Sequence, residues 1–155
     1  MLSAAEVRHH LSMSDTRRQP TDDPGRRVID QRLRNRVIEY LELASSFEQQ
    51  RDYAKNVPMV NVPYEVINQW EDWVPAAPVR TADQLGVYSD PEVAAMMKFQ
   101  AAWEQAADGL PDTYPSISEA QRLPVWLNLR EEAECALAVF LTRGTMPEDH
   151  ELVWT

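Results

Sequence analysis

Apolar residues recur along this chain at three- and four-residue steps in several separate blocks, and glycines and prolines stand between the blocks. The first block should open near Asp23-Pro24 and run to about Lys55. Ile29, Leu33, Val37, Leu41, Ala44 and Phe47 give it one apolar face. Pro58 and Pro63 then enforce an extended run, because a residue that precedes proline avoids helical backbone angles. Asn61 or Val62 leads into Pro63, and residues 64–74 form a second helix. Residues 75–88 form a loop, with one turn around residues 82–85.

Asp90-Pro91-Glu92 starts a third helix with an N-cap acid and a first-position proline. It continues through Met96, Met97, Phe99, Trp103 and Ala106 to Gly109. A fourth opens at Ser118, where Gln121 completes a capping box, and Pro124 either kinks or restarts it. Its buried face is Trp126, Leu129, Ala133, Ala136 and Phe140, and Gly144 ends it. The closing EDHELVWT should cross the bundle through Leu152 and Trp154. The pattern predicts an all-α protein: an irregular bundle of about four helices with a short extended segment near residues 57–62. Residues 1–22 read as a flexible tail, and residues 23–155 as a single helical domain.

Composition changes this picture little. With 155 residues, 44% of them apolar, the chain can bury a core without staples. Cys135 is the only cysteine, so no internal disulfide forms; its ECALAVFL setting reads as a small buried thiol. No stretch reaches the ~18 apolar residues of a membrane span, and no apolar block follows a basic start as in a secretory signal. A cytoplasmic location and no membrane partner are the expectation.

Charge changes the picture more. Residues 1–36 carry eight arginines against five acids, a net of +3, whereas residues 37–155 carry seven basic residues against twenty acids, a net of −13; together they make the −10 of the chain. Arginines at the start of a helix oppose its macrodipole, so they should have another use, as partners for the chain's own acids or for those of a second subunit. An acidic body disfavours nucleic acid and favours a basic protein partner.

Candidate chemistry is sparse. His9, His10 and His150 are the only histidines, and no nucleophile is marked beside them. Glu39/Glu42 and Glu131/Glu134 put paired carboxylates on single helix faces, but acids three apart are ordinary on solvated helices, and the di-iron pattern needs histidines that are absent. No glycine-rich phosphate loop occurs. No catalytic residue, metal or cofactor is therefore assigned.

The densest feature is Tyr64, Glu65, Trp70, Glu71, Asp72 and Trp73, an aromatic group rimmed by acids that resembles a protein-binding hot spot, although both tryptophans also suit a core. The expected function is a small acidic binding module. Its sharpest version is an immunity or inhibitor protein that neutralises a basic toxin such as a nuclease. The alternatives are a Mg²⁺-dependent hydrolase that uses the paired carboxylates and a homo-oligomer, a homodimer for instance, in which arginines of one chain dock on the acids of another.

Overall fold

The computed structural model describes residues 25–74 and 87–153. The expected tail, the turn around residues 82–85 and Trp154 lie outside the described residues. The described residues form six helices and no strand: α1 (Gly25–Ala44), α2 (Phe47–Asn56), α3 (Val62–Trp73), α4 (Asp90–Gly109), α5 (Ile117–Ala120) and α6 (Pro124–Leu141). These are the expected all-α bundle with two of its four helices divided.

The first expected helix breaks at Ser45-Ser46. The Ser46 side chain accepts from the Gln49 N–H and caps α2, so the orphan amides of a new helix are satisfied where one continuous rod was expected. Gln50, fully buried, closes the other side of the break: its amide donates to the Leu43 and Ala44 carbonyls at 3.0 and 3.2 Å and accepts from the Trp126 indole at 3.0 Å. The fourth expected helix divides likewise. Ser116 and Glu119, not Ser118 and Gln121, form the capping box of α5, and Pro124 restarts the chain as α6. Ser89 rather than Asp90 caps α4, in a capping box with Glu92. Between α2 and α3 the chain is extended at Asn61, and the stretch before it is a turn closed by the Val60 N–H on the Val57 carbonyl at 3.2 Å.

The core lies where α1, α3, α4 and α6 meet. Tyr40, Trp70 and Phe99 form one aromatic cluster, with ring centroids 4.6–5.9 Å apart. The Tyr40 hydroxyl donates to the Val66 carbonyl at 2.7 Å, and burial pushes its phenol well above the ordinary range. Trp126, Leu129 and Phe140 complete the core from α6. Each such side chain contributes about 1.5–3 kcal/mol when fully buried. α4 and α6 run antiparallel and approach so closely at their junction that a Cβ on Gly109 would lie 2.9 Å from a Val125 methyl.

The apolar stripe expected on the first half of α1 is not its most buried face. Ile29 and Leu33 are half-buried, whereas Asp30, Gln31, Arg34 and Asn35 are buried. Residues 145–153 leave α6 and lie as a strap across Gln31 and Asn35, while Arg34 is engaged by Glu92 of α4 and by the Phe140 and Gly144 carbonyls. Cys135 is also corrected: it is exposed, one position round the helix from buried Ala136.

Candidate protein-binding surface

The six candidate residues of α3 divide by helical geometry. At 100° per residue, Tyr64, Asn68, Glu71 and Asp72 share one side, while Val66, Ile67 and Trp70 fall on the opposite side. Tyr64, Glu71 and Asp72 are exposed, and Glu65 is half-buried, accepting from Gln69. Trp70 is only 1% exposed. Its indole N–H donates to Gln100 on α4 at 2.5 Å, which satisfies the polar edge of a buried ring. Trp70 is thus a core residue; it cannot meet a partner from this position. Trp73 is half-buried against the core.

Other residues take the place that Trp70 vacates. Tyr64 packs edge-to-face on Tyr114, with centroids 5.2 Å apart. Asn61 holds the same loop by donating to the Pro115 carbonyl at 3.0 Å, while its side chain caps α3. Beside them the turn between α2 and α3 exposes Val57, Pro58 and Met59, the last 95% exposed. These residues were not singled out in the sequence; the signal was the pair of prolines, which force the chain out into a turn.

The surface is acidic by subtraction. Residues 62–74 and 87–121 carry nine carboxylates, of which Glu92 is buried, and one lysine, Lys98, which lies 3.7 Å from Glu132 of α6. Glu71, Asp72, Asp108 and Asp112 are exposed, and among the described residues no ion pair involves them. α3 and α4 are antiparallel neighbours, tied by the Trp103 indole on the Ile67 carbonyl at 2.8 Å, and Glu71 and Asp72 lie two turns along α3 from Tyr64.

The arginines of α1 are spent elsewhere. Arg34, fully buried, grips Glu92 with Nε and Nη2 at 3.2 and 2.7 Å and donates to the Gly144 and Phe140 carbonyls. Arg143 holds the same carboxylate and the Val87 carbonyl. Burial pushes the Glu92 carboxyl up, but the hydrogen bonds from Arg143 and Arg34 outweigh it and hold the group below its ordinary range. Arg26 pairs with Asp30, Arg32 with the Glu148 carbonyl, and Arg36 with Glu39 and Glu148. The arginine-rich start of the helix thus meets acids and carbonyls of its own chain.

Other candidate chemistry does not assemble. Among the described residues no three metal-ligating side chains converge, and Glu39 faces Arg36. The His150 ring Nδ1 lies 2.6 Å from its exposed neighbour Asp149 and holds the Asp149 carboxyl below its usual range. An apolar groove of about 370 Å³ runs between α4 and α6, lined by Pro91, Ala94, Ala95, Cys135, Ala136 and Val139. No helix among the described residues is long and apolar enough to cross a membrane. No known protein family, curated protein or solved structure matches the chain.

Proposed function

We propose that this protein is a binding module whose acidic α3–α4 surface receives a basic protein partner, with Tyr64 and Met59 as apolar anchors. The observation that supports it is the segregation of charge: Arg34 of α1 is engaged inside the fold and Arg26, Arg32 and Arg36 meet acids and carbonyls of their own chain, while Glu71, Asp72, Asp108 and Asp112 face solvent without an ionic partner among the described residues. Such a field attracts a basic surface and raises its rate of encounter by about 10–10³-fold at low salt. An aromatic within an acid rim then supplies short-range affinity.

A nuclease toxin is the sharpest candidate for the partner. Its substrate groove must be basic, so an acidic helical protein occludes it by charge and shape together. The test is affinity capture on the full chain, followed by association kinetics of the captured protein across a salt series. A basic partner whose association rate drops at least tenfold between 50 and 500 mM salt, and drops similarly on Glu71→Lys with Asp72→Lys, supports the proposal. A salt-independent rate, or one unchanged by the double reversal, overturns it.

A further inference from the structure

The strap of residues 145–153 is bound as a ligand is bound. None of its amides or carbonyls makes a backbone–backbone hydrogen bond with the rest of the described chain; the bonds that fix it come from side chains of α1. Gln31 donates to the Pro147 and His150 carbonyls at 2.8 and 2.9 Å and accepts from the Leu152 N–H at 2.9 Å. One turn on, Asn35 donates to the Met146 carbonyl at 2.8 Å and accepts from the Met146 N–H at 2.9 Å. Arg32 donates to the Glu148 carbonyl at 2.7 Å. Two carboxamides at i and i+4 thus read the backbone of a peptide that runs antiparallel to the helix and bends at residues 148–150.

Two strap side chains set the register. Met146 is buried, 6% exposed, and the Glu148 carboxylate accepts from Asn35 at 2.9 Å and pairs with Arg36. Charges are complementary as well: residues 145–153 hold three acids, Glu148, Asp149 and Glu151, and no lysine or arginine, against Arg26, Arg27, Arg32 and Arg36 of α1. The strap departs from α6 through Gly144, whose φ of +75° suits glycine and whose missing side chain faces open space. A peptide held through its backbone by another element's side chains, and joined through a pivot, is exchangeable in principle with an identical peptide from another molecule.

We infer that α1 is a recognition face for an acidic bent peptide, filled in each molecule by its own strap and able to take the strap of a second copy in its place. The cis strap enjoys a millimolar-range effective concentration, so it outcompetes a free peptide until it is weakened. The probe is a fluorescent synthetic peptide with the sequence of residues 145–155, titrated by anisotropy into the full-length protein. The wild type should bind it at least tenfold more weakly than full-length Met146→Ala. Glu148→Ala, which removes the contacts to Asn35 and Arg36 but no buried apolar group, should give a smaller gain and covers the case in which Met146→Ala fails to fold. Adding Gln31→Ala should abolish the gain. A folded Met146→Ala or Glu148→Ala chain that binds no better than wild type overturns the inference, as does binding that survives loss of Gln31.

Discussion

The two sides of this bundle handle charge in opposite ways. On the α1 side, arginines and carboxylates meet inside the fold: Arg34 and Glu92 are both almost wholly buried, and Arg143 closes the group. On the α3–α4 side, Glu71, Asp72, Asp108 and Asp112 stand in water. The first arrangement fixes where elements sit, because a buried ion must keep its partner. The second costs little in stability and leaves a field that extends beyond the surface. Charge therefore fixes elements on one side, and on the other, in the proposed function, it attracts a basic partner.

The largest effect should come from breaking the buried side. Glu92→Ala leaves Arg34 buried without a carboxylate and should cost about 3–5 kcal/mol, read as a shift in the urea midpoint. Asn35→Ala strands the Met146 N–H and carbonyl and should cost about 1–3 kcal/mol by the same measurement. Acidification probes the same group. Because its pKa is lowered in the fold, Glu92 contributes stability that is present above its ordinary value of 4.5 and is lost as pH falls through the lower folded value. Denaturation series at pH 7 and pH 3 should show that loss in the wild type, and a smaller one in Glu92→Gln. The smallest effect on stability belongs to the other side: Glu71→Lys with Asp72→Lys should stay within about 0.5 kcal/mol of wild type. A large loss there would mean that the acids are structural, which would erase the contrast.

How much of this was legible in the sequence depends on distance along the chain. The helices were, because prolines and glycines punctuate them and their apolar faces recur. The three misplaced boundaries share one local mark: Ser46 with Gln49, Ser89 with Glu92 and Ser116 with Glu119 all have the spacing of a capping box. At the first, apolar periodicity continued through the break and concealed it; at the other two a neighbouring Asp90 or Ser118 offered an equally plausible cap. The spacing puts Trp70 on one helix face with Val66 and Ile67 but leaves open whether that face is core or partner surface; only the packing of α4 against it makes Trp70 a core residue. The Arg34–Glu92 pair, 58 positions apart, has no local mark at all. Burial of a polar helix face becomes visible only when the strap that covers it is in place.

The strap also has a mechanical consequence. Its bonds to α1 follow one another along a single line, from the Leu152 amide to the Met146 amide and carbonyl. A pulling force applied beyond residue 152 would load them in turn, the Leu152 amide's first and those of Met146 last. The segment would peel like tape at low force, while α1 and α6, joined across their length by packed side chains, would still resist as a block.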